Sequence, residues 1–243
     1  MLTNAQLMSI NDCHLKTTRI DIWEFPLNKP FNQANTLLNK TELIRANRYY
    51  FDRHRRRFTI ARASLRLILG RYLHEEGKQL TFSYGTHGKP QVNHSKALQF
   101  NLSHSGELAL LAIGYQLPLG IDLEFFSARP YEGIAKNLFS ERELQTFLGL
   151  PTFLKPQVFF HIWSQKEAFI KASGLGLSYP TQFFTVPIFS KDTELITDSI
   201  HHCQWLMRSF MPRIACSAAL CHHPEIKELR YVRLDNPAIL FNG

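Results

Sequence analysis

Cysteine is scarce in this chain: four among 243 residues, Cys13, Cys203, Cys216 and Cys221, with no CxxC spacing. A disulfide-stapled framework is excluded as the source of stability, and with no secretory leader at the start the simplest compartment is a reducing cytoplasm. Long apolar runs are missing too. The longest, LALLAIG from Leu108, is strand-sized, whereas a bilayer span needs about 20 residues, so no membrane is expected as a partner. Acidic residues are short relative to basic ones, 20 against 28, for a formal net charge of +8. An excess of that sign suits phosphate-rich or acidic partners and does not choose among nucleic acid, nucleotide and acidic protein. Hydrophobic and charged residues, at 44% and 20%, lie near ordinary globular usage, which argues against disorder, collagen-like repeats and coiled coil. At this length one large or two smaller domains are expected.

Residues 1 to 20 carry no strong periodicity, and IDIWEF from Ile20 alternates like a short strand. From Arg45 to Arg71 nine arginines stand against a single acid, Asp52. Phe58, Ala61, Leu65, Ile68, Leu69 and Tyr72 recur there at helical spacing, which predicts an amphipathic helix with Arg55, Arg62 and Arg66 beside its apolar stripe. Taken alone, those arginines read as a solvated basic face. A glycine-rich turn, YGTHGKPQV, leads into three predicted strands, Leu98 to Leu102, Leu108 to Gly114 and Leu119 to Glu124. Ser140 followed by Glu143 is a capping-box pattern, and a longer helix from about Pro156 to Ser173 stops at Gly174. FFTVPIF, QWLMRSF and RIACSAAL alternate like strands in the tail. The expected class is α+β, in two similar-sized halves, 1–116 and 117–243.

Three constellations could carry chemistry. In GIDLE, strand alternation points Asp122 and Glu124 to one face, where they repel unless a cation lies between them. A divalent ion such as Mg²⁺ would fit, as would an exposed strand edge with its acids in water. In VFFHIWSQKEAFIKASG, Glu167 and Lys171 have the spacing of a routine helical ion pair, while Lys166 projects into the apolar arc, where an ammonium is costly. In NLSHSG, a Ser103–His104 or His104–Ser105 dyad is geometrically poor on a continuing strand, so His104 reads as structural on its own. GTHGKP lacks P-loop spacing. His201-His202-Cys203 and Cys221-His222-His223 could converge on zinc only if the chain brings them together.

Taken in order, GKP, FNLSHSG, LGIDLE, FSERE and WSQKEAFIKASGLGL make the chain resemble the 4′-phosphopantetheinyl transferases. The likeness is to the surfactin-synthetase-activating (Sfp-like) group more than to the short trimeric holo-acyl-carrier-protein synthases, and runs from about Asn39 to Pro224. It implies two pseudo-symmetric α/β halves with the active site in the cleft between them, the adenosine side in 1–116 and the metal side in 117–243. The implied enzyme is a monomer that moves the phosphopantetheine of coenzyme A to a serine of an acidic apo acyl or peptidyl carrier protein, releasing adenosine 3′,5′-bisphosphate. By motif, the resemblance puts Asp122, Glu124 and Glu167 on Mg²⁺ and gives Glu167, Lys171 and Asp122 catalytic roles. It assigns Arg45, Lys89, Pro90, Ser103, His104, Asp122, Lys166 and Lys171 to coenzyme A, with Arg62 and Arg66 as helpers. Where the family often has a second basic residue before Arg45, this chain has Glu42 and Leu43. Glu143 is left outside the metal set because it is also the capping-box partner of Ser140.

Two other readings compete. A basic nucleic-acid-binding module would explain the arginine segment but not the paired carboxylates, which repel a phosphate backbone. A zinc-stabilised interaction domain would use the two His/Cys clusters. The transferase reading expects neither nucleic acid nor zinc.

Overall fold

The computed structural model describes residues 5–189, 193–198 and 200–241. The N-terminal half opens with β1 (Gln6–Leu7) and β2 (Arg19–Pro26), followed by the helices α1 (Ala34–Leu37), α2 (Lys40–Asn47) and α3 (Asp52–Leu73). The hairpin β3 (Phe82–Tyr84) and β4 (Pro90–Val92) leads to β5 (Leu98–Ser105) and β6 (Leu108–Tyr115). The chain then crosses to β7 (Leu119–Phe125), the helices α4 (Tyr131–Leu138), α5 (Glu141–Leu148) and α6 (Lys155–Ser173), and the strands β8 (Glu194–Asp198), β9 (Cys203–Phe210) and β10 (Cys216–His222). It ends on β11 (Glu228–Arg233) and a short 3-10 turn, Pro237–Leu240.

Two sheets organise these elements. One has the order β1-β11-β2-β6-β5, the other β7-β10-β9-β8. Helix α3 lays Ile60, Leu65, Ile68 and Leu69 on the outer face of the first sheet, against Trp23, Phe25 and Leu111. Helix α6 does the same on the second, with Phe159, Ile162 and Phe169 against Met207, Ala219 and Cys221. A third apolar layer fills the space between the sheets: Ile20, Ile22, Leu108 and Leu110 meet Ile121, Leu123, Ala218 and Leu220. The result is helix, sheet, sheet, helix, an α+β architecture with two sheet-bearing halves. Both faces of β2 are therefore covered, which is why all of Ile20–Phe25 is buried although IDIWEF contains two acids.

Those acids explain the path of the C-terminus. Strand β11 lies parallel to β2, where Arg230 donates to both oxygens of Asp21 at 2.7 Å and Tyr231 donates to Glu24 Oε2 at 2.5 Å. A buried carboxylate requires such partners. The division at residue 116 is thus crossed by the last strand: 117–243 does not keep β11, which completes the first sheet.

Two local expectations need correction. The basic segment is two helices, because Phe51 is extended (φ −92°, ψ 131°) and breaks the helical path between α2 and α3; Arg45 therefore sits on a different helix from Arg55, Arg62 and Arg66. FFTVPIF is not a strand. Thr181–Phe183 make one 3-10 turn, and the carbonyls of Thr181 and Phe184 accept from Lys166 while the Val186 amide donates to Glu143. Side chains of the helical layer take the groups a strand partner would have used. Among the described residues no helix is long and apolar enough to cross a membrane.

Candidate active site

The site forms where β7, the edge of the second sheet, passes beside β5, the edge of the first. Leu119, Ile121 and Leu123 point into the layer between the sheets, so Gly120, Asp122 and Glu124 face α6. Gly120 lets the helix come close: a Cβ there would lie 2.2 Å from the Ala168 carbonyl oxygen and 2.3 Å from the Ala172 nitrogen. No other residue type fits that crossing. Helix α6 starts with Pro156 in its first turn and is stopped by Gly174 at φ 76°, a left-handed cap suited to glycine. Its Glu167 and Lys171, one turn apart, project toward the β7 acids.

Lys171 does not pair with Glu167. Its Nζ lies 2.5 Å from Asp122 Oδ1 and 3.0 Å from Ser103 Oγ, and Ser103 donates to the same Asp122 oxygen at 2.8 Å. The other oxygen, Asp122 Oδ2, is buried without a hydrogen-bond partner. Burial, then the charge of Asp122, raises the pKa of both Glu124 and Glu167; Lys171 opposes the shift in each. Three carboxylates thus share one region and one internal cation. His104 lies at the open edge; the surrounding protein, then the charges of Lys171 and Arg57, hold its pKa below the usual histidine value.

A cleft cavity of about 590 Å³ adjoins this network, lined by Lys89, Pro90, Leu102, Glu167 and Lys171 among others. Lys89 donates to the carbonyls of Leu119 (3.0 Å) and Lys171 (2.6 Å), and burial lowers its pKa to about 8. It ties the β3–β4 hairpin to the far side of the cleft. His87 and Asn101 also line the cavity; in the sequence their only signals are the HGKP turn and the NLSHS strand that contain them.

Other expected residues lie elsewhere. Lys166 turns into the second helical layer, 2.9 Å from Glu143 Oε2, with the Thr181 and Phe184 carbonyls completing its partners. This answers the cost of an ammonium in the apolar arc, with the Lys166 ammonium spent on protein groups, where the resemblance assigned it to coenzyme A. Glu143 is fully buried, closes the capping box with Ser140 and is a structural anion. Arg62 and Arg66 are not free: both pair with Glu42, and Arg66 also donates to the carbonyls of Gly77 and Leu80. Glu42 is therefore a buried counter-ion and the capping-box residue of α2. Arg55 pairs with Asp52, and Arg56 and Arg57 with Glu107, so much of the basic segment is neutralised locally. Arg45 is exposed, its guanidinium 5.2 Å from the centre of the Phe58 ring. The His/Cys clusters do not converge, since β10 sends Cys221 to the α6 side and His222 to the opposite face, while His201 Nδ1 lies 2.8 Å from Asp198.

Among the described residues no three His, Cys, Asp or Glu side chains are gathered closely enough to ligate an ion. The donor set still suits a hard divalent cation: all oxygen, three carboxylates of which Glu124 and Glu167 have their ionisation opposed by burial and by the charge of Asp122, and one buried oxygen lacking a partner.

The chain is similar to known proteins along most of its length. Residues 118–219 match the 4′-phosphopantetheinyl transferase superfamily, and residues 22–115 match the family described as 4′-phosphopantetheinyl transferase, N-terminal. The chain is 42% identical over 187 residues to the 4′-phosphopantetheinyl transferase HetI of Nostoc sp., covering 73% of this chain and 78% of that one. It is 30% identical over 194 residues to psf-1 of Bacillus pumilus (79% and 82% covered) and 29% identical over 213 residues to Sfp of Bacillus subtilis (85% and 94% covered). The chain belongs to the 4′-phosphopantetheinyl transferase superfamily, in its two-domain Sfp type. It is an enzyme that transfers the 4′-phosphopantetheinyl group of coenzyme A to carrier proteins.

Proposed function

We propose that Asp122, Glu124 and Glu167 hold Mg²⁺ at the junction of the two sheets, and that this junction is where the phosphopantetheine arm passes from coenzyme A to a carrier serine. The observation that carries the reading is Asp122, with one oxygen on Lys171 and Ser103 and the other buried and unpartnered. Held there by Asp122, Glu124 and Glu167, the ion would supply positive charge to neutralise the pyrophosphate of coenzyme A. Lys171 meets charge developing on the transferring phosphoryl group. Ser103, His104, Lys89 and Pro90 border the phosphates, and the β3–β4 turn with Arg45 takes the nucleotide end, where a guanidinium suits a 3′-phosphate.

Glu167 accepts the serine proton as the general base of the transfer. The serine oxygen forms its bond to the β-phosphorus as the bond to the bridging oxygen breaks, and adenosine 3′,5′-bisphosphate leaves. Residues 1–116 with β11 form the adenosine side and the remainder the carboxylate side. The carrier is an acidic helical protein drawn by the net positive charge, and the enzyme works as a monomer in the cytoplasm.

The test is intact-mass analysis of apo acyl and peptidyl carriers after incubation with the protein, coenzyme A and Mg²⁺. One added phosphopantetheine per carrier is expected, and none with Glu167→Gln that keeps its circular-dichroism spectrum. Full turnover by that variant rejects the role given to Glu167.

A further inference from the structure

Strands β5 and β7 run side by side as the facing edges of two different sheets, and no backbone ladder joins them. Alternate side chains of β5 take its place. Asn101 Oδ1 accepts from the Ile121 amide at 2.8 Å, Ser103 Oγ donates to Asp122 at 2.8 Å, and Ser105 Oγ accepts from the Phe125 amide at 3.1 Å. The rungs advance in step, 101 to 121 and 105 to 125, so the strands are parallel and in fixed register. A strand edge at a buried junction must satisfy its amides somehow; here short polar side chains do it.

Ser105 differs from Asn101 in one respect. Besides accepting from the Phe125 amide, its hydroxyl donates to Glu124 Oε2 at 3.0 Å. One hydroxyl thereby fixes both the backbone beyond Glu124 and the carboxylate itself. Glu124 is only partly buried and has no ion-pair partner among the described residues, so this contact is what selects its orientation.

We propose that Ser105 is a positioning residue for Glu124: it holds that carboxylate on the face of β7 that Asp122 shares, so that the pair meets a divalent cation together. The inference rests on the carboxylate site proposed above. Groups that orient a ligating carboxylate commonly change metal affinity by 10- to 100-fold when removed.

The test is Mn²⁺ titration of the purified full chain, followed by water-proton relaxation, for the wild type, Ser105→Ala and Ser105→Thr. Ser105→Ala is expected to bind Mn²⁺ about tenfold more weakly, with Ser105→Thr within about twofold of the wild type because its hydroxyl is retained. In transfer assays the Mg²⁺ concentration for half-maximal rate rises by about the same factor in Ser105→Ala, while kcat at saturating Mg²⁺ changes less than about threefold. Ser105→Cys, which keeps the volume and weakens the donor, replaces alanine if alanine unfolds the edge, and weaker Mn²⁺ binding is expected of it too. If Ser105→Ala and Ser105→Cys bind Mn²⁺ as the wild type does, or if kcat falls with half-saturation unmoved, the positioning role is overturned and the carboxylate site stands. If the wild type itself binds no Mn²⁺, the carboxylate site is overturned and the positioning role with it.

Discussion

Lys171 Nζ lies 2.5 Å from Asp122 Oδ1, on a side chain that leaves α6 one turn after Glu167. The contact makes Lys171 an internal counter-ion for a carboxylate that is 3% exposed. Lys171→Met is therefore expected to lower stability by about 3 kcal/mol, since it leaves Asp122 buried and unpaired. Transfer falls by about 100-fold with it, measured at a temperature where the variant is folded. Unchanged kcat would remove Lys171 from the chemistry.

Glu167 has the opposite problem, a carboxylate whose charged form is opposed by burial and by Asp122. The native state then binds more protons than the unfolded chain between the ordinary glutamate pKa and the raised one, so metal-free stability falls as pH rises through that interval. Glu167→Gln lacks this loss. Without divalent metal, its Tm is expected to exceed the wild-type value at pH 7 and the difference to shrink toward pH 4. A lower Tm at pH 7 would contradict the site's electrostatics.

The close approach of α6 to β7 depends on Gly120. A methyl group 2.2 Å from the Ala168 carbonyl oxygen cannot be accommodated without moving the helix or the strand. Gly120→Ala should cost more than about 2 kcal/mol in urea melts and separate Asp122 from Lys171, abolishing transfer. Wild-type stability in that variant would mean the crossing is looser than described.

Lys166 and Glu143 form a buried pair in the second helical layer. Lys166→Met is expected to destabilise by about 3 kcal/mol through the orphaned Glu143, with the KM for coenzyme A unchanged in the folded fraction. A raised KM with normal stability would return Lys166 to the binding site.

Lys89 is held near a pKa of about 8 by burial. If Lys89 borders the coenzyme A phosphates as proposed, kcat/KM for coenzyme A in the free enzyme should decline above about pH 8 as its ammonium is lost, and Lys89→Arg should move that limb to higher pH. A limb that stays put in Lys89→Arg belongs to another group.

What could be read before folding was whatever short-range chemistry fixes. Ser140 and Glu143, three residues apart, close the expected capping box; Gly174 stops α6 where expected; and strand alternation puts Asp122 and Glu124 on one face. Motif order named the residue types around the cleft. The same sequence could not show that Lys166 and Lys171, five apart on one helix, serve different layers, because projection on a helical wheel gives a direction and not a neighbour. Helical projection reads Arg62 and Arg66 as a solvated basic face and only the motif likeness makes them helpers to coenzyme A; neither reveals their partner Glu42, which lies on another helix.

The sequence by itself determined most of the local elements, because hydrogen-bonding side chains at fixed spacing act within one turn or one strand, while the class of chemistry and the family came from the resemblance of its motifs, in order, to a known family. Tertiary structure decided which charges are used up and which remain. It joined β11 to the first sheet through Asp21 and Glu24, set β5 against β7 through Asn101, Ser103 and Ser105, and left Asp122 Oδ2 without a partner. Each of those facts depends on atoms distant in the chain meeting in a medium where an unpaired polar group is costly, and only the folded arrangement says which of them meet.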